Sequence, residues 1–384
     1  MFSDKEIKKF SELETPFFYY NIEKLKNTLE KVKKASEKFG FIVHYAMKAN
    51  ANDKILNIIK DYGFGADCVS GNEVKKAVEI GFSPKKIAFA GVGKSDKEIK
   101  LSLDADIFAF NCESLQEIEV INELAEKKGK IADIAVRINP NVNAHTHHYI
   151  TTGLDENKFG INTWQFDALF EVLKKLKNIR LVGLHFHIGS QITDLNVFKN
   201  LCLRVNEIQE TFINNQINIE HINVGGGLGV DYEHPDNEDF IVFEAFFGLF
   251  NRFLDLKKDQ KLHFELGRSM IASSGDLIAR VLYVKEGIKT NFAILDAGMT
   301  ELIRPALYQA YHKIENITSK KGIEFYDVVG PICESSDTFG KTVQLPETKR
   351  GDLIAIRTTG AYGEVMTSQY NLRDIAPAVY SDEI

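Results

Sequence analysis

The sequence predicts an α/β fold: a (β/α)8 TIM barrel with a second, mostly β, C-terminal domain of sandwich or barrel type. Between residues 41 and 266, eight short apolar or alternating runs are separated by segments with apolar residues at helical spacing. Parallel strands need crossover helices, and eight of them close a ring. From about Leu277 the pattern shortens to alternating runs with little helix between them. An open doubly wound sheet is the competing topology for the first region.

The strand candidates are 41–47 (FIVHYAM), 65–69 (GADCV), 86–90 (KIAFA), 106–110 (DIFAF), 131–139 (IADIAVRIN), 181–187 (LVGLHFH), 219–225 (IEHINVG) and 261–266 (KLHFEL). Helical spacing is clear in 53–63, 71–81, 114–129 and 164–178, each with Gly or Asn at its C-terminal end. The later strands are 277–286, 291–298, 324–330 and 352–360, and PFFYYN (16–21) reads as a further strand of the β domain. The expected domains are 21–272 for the barrel and 1–20 plus 273–384 for the β domain.

With 47 Lys plus Arg against 54 Asp plus Glu, the 384-residue chain carries a formal charge of −7. That balance argues against a nucleic-acid-binding surface, which needs a basic stripe. The richest apolar stretch, Phe240 to Phe250, is interrupted by Glu244 and is too short to span a bilayer. The N-terminal residues lack a secretory pattern, so a soluble, cytoplasmic protein without a membrane partner is expected. Cys68, Cys112, Cys202 and Cys333 are scattered and form no C-x-x-C pair.

Barrels of this kind carry their chemistry at the C-terminal ends of the strands. There the sequence places Lys48, Asp67, Arg137, His185 and His187, the run Gly225, Gly226, Gly227, Leu228, Gly229, and Glu265 followed by Arg268. Lys48 is either a surface lysine or a desolvated amine able to form a Schiff base. The glycine run is either a bare turn or, with Gly189, Ser190 and Gln191 after the neighbouring strand, a phosphate cradle. His185 and His187 could share a metal, which is the hydrolase reading, although no clear third ligand accompanies them and His185 reads better as a core histidine. Glu265 could face the nitrogen of a pyridine ring and deepen its capacity as an electron sink.

The motifs TPFFYY (15–20), HYAMKANAN (44–52), GADCVSGNE (65–73), HHYITTGLDENKFGI (147–161), GLHFHIGSQI (183–192), NVGGGLG (223–229), ELGR (265–268), DAGMTELIRPALY (296–308), VGPICESSD (329–337) and GAYG (360–363) follow one another along nearly the whole chain. Together they resemble the fold-type III pyridoxal-phosphate decarboxylases. The resemblance implies pyridoxal 5'-phosphate as cofactor and no metal, with Lys48 as its covalent attachment, His187 against the ring and Asp67 beside it. It implies that Ser190, Gly225 to Gly227, Gly267 and Arg268 hold the phosphate, and that Glu265 pairs with the ring nitrogen. Arg268, Arg304 and Tyr308 would bind a substrate carboxylate, Glu334 a distal amine, and Tyr362 both substrate and cofactor. Cys333 would donate a proton, reaching the site with Glu334 from the second subunit of a homodimer.

The implied reaction is decarboxylation of meso-diaminopimelate to L-lysine and CO2, because a distal amino acid needs both a carboxylate clamp and an amine acceptor. Decarboxylases of ornithine, arginine or carboxynorspermidine share the cofactor set and remain alternatives. Two positions depart from the family pattern: Leu266 stands where proline is usual, and Ser336 where glycine is frequent. The first is expected to alter turn stiffness alone.

Overall fold

A computed structural model describes residues 2–142, 158–237 and 240–384 of the chain. Its backbone forms two compact units: Met1–Thr28, Val230–Ile241 and Arg268–Ile384 make one, and Leu29–Gly229 with Val242–Gly267 make the other.

The strands are, in order, β1 (Phe17–Tyr20), β2 (Ile42–Ala46), β3 (Gly65–Cys68), β4 (Ile87–Phe89), β5 (Ala109–Cys112), β6 (Ala132–Arg137), β7 (Ile179–His185), β8 (His221–Asn223) and β9 (Lys261–Leu266). Strands β2 to β9 are parallel and close into a barrel, with β9 pairing back onto β2. The predicted fold class is therefore the observed one. Two strands are displaced from their expected positions: β5 is Ala109–Cys112, not 106–110, because Asp106 sits in a turn at φ 51° before it, and β7 is Ile179–His185, not 181–187, so that His187 lies beyond its end.

Local chemistry explains the helices between the strands. Helix Gly71–Ile80 is capped by Ser70, whose side chain accepts from the Glu73 amide, and ends at Gly81 with φ 94°. Helix Asp96–Asp104 carries a full capping box between Ser95 and Glu98. Along β9 the side chains alternate: Phe264 packs against Phe246, Phe247 and Phe250 of helix Phe243–Phe253, with ring centroids 5.6, 4.9 and 4.9 Å away, while Glu265 bonds to side chains of other barrel strands.

The other unit is a sheet of eight strands. It contains β10 (Gly275–Lys285), β11 (Asn291–Leu295), β12 (Ile314–Asn316), β13 (Ile323–Val329), β14 (Thr338–Pro346), β15 (Leu353–Ile356) and β16 (Ala378–Tyr380). Strand β1 joins it, antiparallel to β10 and parallel to β16. Strands β12, β14 and β16 have no counterpart in the sequence reading: two are three residues long, and β14 contains Gly340 and Lys341, which weaken its pattern. Among the described residues, no helix is long and apolar enough to cross a membrane.

Phe264 is fully buried and touches four rings, including Phe41 at 5.6 Å. Phe264→Ala is expected to destabilise the barrel by about 3–5 kcal/mol, read from urea unfolding.

Candidate active site

Five strand ends bring the barrel's chemistry together. Lys48 lies in the short turn Met47–Ala49 directly after β2, half-buried. Asp67 stands on β3, opposite Ala46 in the register. His187 follows β7, and Gly225 to Gly227 follow β8. Glu265 is the penultimate residue of β9.

Glu265 is the most constrained of these groups. Its Oε1 accepts from Asn111 Nδ2 at 3.0 Å and Asn223 Nδ2 at 2.7 Å, and its Oε2 bonds to His185 Nε2 at 2.9 Å. Those partners come from β5, β8 and β7. Burial works against ionisation of the carboxyl, but His185, His187 and Lys48 outweigh it and hold Glu265 below the usual carboxylate range. The site therefore contains a fixed negative charge. Asp67 behaves in the opposite way: burial, and then the charge of Glu265, push it well above the usual range, and its buried Oδ1 has no hydrogen-bond partner among the described residues. Burial and the Lys48 charge keep the His187 imidazole neutral, and its Nδ1 accepts from the Gly226 amide at 3.3 Å.

The glycine run is a cradle that side chains would fill. Gly225 has φ 68°, and a Cβ there would lie 2.5 Å from the Phe186 carbonyl oxygen. Gly227 has φ 102°, and its Cβ would lie 2.6 Å from the Gly189 oxygen; a Cβ on Gly226 would collide with the Glu265 carbonyl. The Ile192 amide donates to the Gly227 carbonyl at 2.8 Å, so the loop carrying Gly189 and Ser190 lies against the glycine run. Gly267 faces Ala46 and Ala49, the latter next to Lys48. A glycine-walled cradle, a lysine, a neutral imidazole and a fixed carboxylate suit a phosphorylated pyridine aldehyde, and the Asp67 Oδ1 offers a further polar contact for it.

Neighbouring groups brace this rim. Arg137 Nη1 donates to Glu113 Oε1 at 2.8 Å, and Glu113 also accepts from the Gly91 and Gly160 amides. Lys94, with only 1% of its side chain exposed, donates to the carbonyls of Gly91 and Asn111 and to Glu117. The sequence reading missed Asn111, Asn223, Glu113 and Lys94. Asn111 and Asn223 meet Glu265, Glu113 meets Arg137, and Lys94 meets Asn111 and Glu117 only through barrel closure.

His185 and His187 do not form a metal pair. One is bonded to Glu265 and the other to Gly226, and among the described residues no cluster of three or more His, Cys, Asp or Glu is arranged as ligands. The positions 143–157, including His145, His147, His148 and most of the 147–161 motif, lie outside the described residues.

The β unit holds a second group. Arg268 Nη1 donates to the Tyr232 hydroxyl at 2.5 Å, and its guanidinium lies 4.8 Å from the Tyr362 ring. Arg304 stands 5.5 Å from the Tyr232 ring and 5.9 Å from that of Tyr362. Two buried guanidinium groups are thus bracketed by two aromatic faces, with Tyr308 close enough to act on both charges. His312, which the sequence reading did not single out, fixes Arg304. Its Nδ1 donates to the Arg357 carbonyl at 2.9 Å, so its Nε2 is left to accept from Arg304 Nε at 3.2 Å. Burial and the Arg304 charge push the His312 pKa down to about 3.

Cys333 and Glu334 lie on the turn between β13 and β14. The Cys333 thiol is exposed, and Glu334 accepts from Tyr370 at 2.7 Å and from Ser336 at 3.3 Å. Ser336, which had no functional reading in the sequence, thereby helps to hold Glu334. Leu266 is buried as the last residue of β9, paired with Tyr45.

A family model described as the pyridoxal-binding domain of pyridoxal-dependent decarboxylases matches residues 24–272. Diaminopimelate decarboxylase of Bacteroides thetaiotaomicron is 56% identical over 379 residues, covering 98% of each chain. The chain belongs to the pyridoxal-dependent diaminopimelate decarboxylase family. A Helicobacter pylori member of that family, in a crystal structure with L-lysine, superposes with a TM-score of 0.92 at 41% identity, covering 98% of this chain and 94% of the other. Diaminopimelate decarboxylase from m. jannaschii, in a crystal structure with L-lysine, gives a TM-score of 0.89 at 35% identity, covering 98% of this chain and 90% of the other.

The neutral state of His312 has a measurable consequence. Its ordinary pKa is 6.5 and its folded value is depressed, so the stability linked to it is present above pH 6.5 and is lost as pH falls from there toward 3. His312→Gln is expected to lower the slope of unfolding free energy against pH by about 1.4 kcal/mol per pH unit across that window, measured by urea titrations.

Proposed function

We propose that this chain removes one carboxylate from meso-diaminopimelate, giving L-lysine and CO2, with Lys48, Glu265 and the glycine cradle holding pyridoxal 5'-phosphate. Full-length identity to diaminopimelate decarboxylases carries the reading, and the L-lysine bound in their crystal structures is the product it requires. When bound, pyridoxal phosphate supplies the electron sink that accepts the pair left by the departing CO2.

The remaining steps belong to the protein. Lys48 supplies the amine that tethers the cofactor. Gly225 to Gly227, with Ser190, Gly267 and the Arg268 backbone, would hold its phosphate, and His187 would cover one face of its ring. Glu265, kept anionic by three donors, pairs with the ring nitrogen and favours its protonated form. Arg268 and Arg304, with Tyr308 and Tyr362, clamp a carboxylate of the substrate, and Glu334 takes the distal ammonium. Cys333 delivers the proton that replaces the lost carboxylate.

Cys333 and Glu334 act on the site of a second copy in a homodimer. Exposed apolar side chains near their turn support this assembly: Leu372 is 96%, Ile375 53% and Tyr370 48% exposed, and Tyr370 is bonded to Glu334 itself. Cytoplasmic location fits four free cysteines, the condition of a reducing compartment.

Purified protein with pyridoxal phosphate is expected to release CO2 from meso-diaminopimelate and not from L-ornithine, L-arginine or carboxynorspermidine; release from one of the latter instead would overturn the Arg304 and Glu334 roles. Lys48→Ala is expected to abolish turnover and the absorbance of covalently held cofactor. Mixing Lys48→Ala with Cys333→Ala chains is expected to restore about a quarter of wild-type activity, since random pairing leaves one intact site in each mixed dimer. No restoration would remove the shared-site assignment.

A further inference from the structure

The opposite end of the barrel contains a second cavity, of about 350 Å³, built from the starts of the strands. That volume falls in the range of small-ligand sites. His44, His221 and His263 line it together with Phe108, and lysines 33, 85, 86 and 261 stand around it against a single carboxylate, Glu37. Lys86 Nζ is bonded to the Gly63 carbonyl. Among the described residues, no carboxylate lies in ion-pair range of Lys33, Lys85 or Lys261.

The three imidazoles form a hydrogen-bonded chain. His44 Nδ1 is 3.0 Å from the Lys86 carbonyl oxygen, His44 Nε2 is 2.9 Å from His263 Nδ1, and His263 Nε2 is 2.9 Å from His221 Nδ1. A carbonyl oxygen can only accept, so His44 Nδ1 carries its hydrogen and, in the neutral ring, Nε2 is the acceptor. The same logic passes along the chain. His263 and His221 must each donate through Nδ1, and the chain ends at His221 Nε2 as a lone pair. Phe108 stacks on His263 at 5.2 Å and meets His221 edge-on at 4.9 Å, which keeps the rings in place.

The chain can hold one excess proton without losing a hydrogen bond. A proton added at His221 Nε2 leaves both inter-ring bonds intact, whereas a second would set two N–H donors against each other. Burial holds all three imidazoles below their ordinary range, so the chain is neutral near pH 7. The charges facing it are Lys86 and Glu265 at His44, Lys261 and Glu265 at His263, and Glu220, Lys261, Arg180 and Asp133 at His221. Arg180 and Asp133 neutralise each other in a bidentate pair at 2.7 and 2.9 Å.

We infer that this cavity is a binding site for a small anion of the phosphate-monoester or carboxylate class, held by Lys33, Lys85 and Lys261 and coupled to uptake of one proton at His221. The lysines supply the charge and the aromatic wall supplies a flat apolar face. His221 accepts from a protonated ligand oxygen or, once protonated, donates to an ionised one. The site is distinct from the cofactor cradle, which is built at the other ends of the same strands.

The test is calorimetric titration of inorganic sulfate into holoenzyme freed of excess pyridoxal phosphate, so that the cofactor's own phosphate site is filled and no free phosphate monoester competes. Sulfate does not titrate in the histidine range, so any pH dependence belongs to the protein. One saturable site is expected, tighter at about pH 6 than at about pH 8, with one proton taken up as read from the dependence of the heat on buffer. The double substitution Lys85→Gln and Lys261→Gln is expected to weaken binding at least about tenfold with decarboxylation unchanged. Lys33→Gln repeats the test from another element. His221→Phe is expected to keep binding but lose its pH dependence. No saturable site, a site indifferent to the lysines, or pH dependence that survives His221→Phe would overturn the inference. None of these outcomes depends on which amino acid the enzyme decarboxylates.

Discussion

A carboxylate buried in the mouth of a parallel barrel must be met by donors from several strands, and Glu265 imposes that condition on the whole unit. Its three partners come from β5, β7 and β8, and β9 itself pairs with β2 to close the ring. The register sets His185 opposite Asn223, so two of the donors arrive at one level. A slip of one residue would reverse the alternation and turn Glu265 toward the helix layer, leaving a charge without partners. The register that buries Phe264 is thus the register that aims Glu265.

The same economy governs the β unit. Two guanidinium groups cannot be buried side by side without groups that lower their self-repulsion, and here two tyrosine faces and one neutral imidazole serve. His312 is suited to the role because the Arg357 carbonyl fixes its hydrogen on Nδ1 and leaves only an acceptor for Arg304. A pair of positive charges arranged in this way is a receptor for a carboxylate, which fits a family whose substrate carries one at each end.

The two ends of the barrel use backbone and side chain in opposite ways. At the C-terminal end the glycine run removes side chains and leaves a wall of backbone, and two of its residues adopt φ values that other residues seldom take. At the N-terminal end imidazoles fill the space and order themselves from a single carbonyl. Both arrangements bring hydrogen-bonding groups to a cavity in fixed orientation.

Much of this was legible in the sequence. Alternating strands and helices gave the barrel, the glycine run and Ser190 gave the cradle, and the ordered motifs gave the family, because periodicity, turn chemistry and motif order are local properties of a chain. Lys48, Asp67, His187 and Glu265 could be nominated for the same reason, since each sits at a recognisable strand end. The side chains that brace the two sites could not be. Asn111, Asn223, Glu113, Lys94 and His312 act across separations of 8 to 154 residues or more local turns that no spacing rule marks. Hydrogen bonding at about 3 Å depends on closure and register, which are decided by the packing of the whole chain and not by any stretch of it.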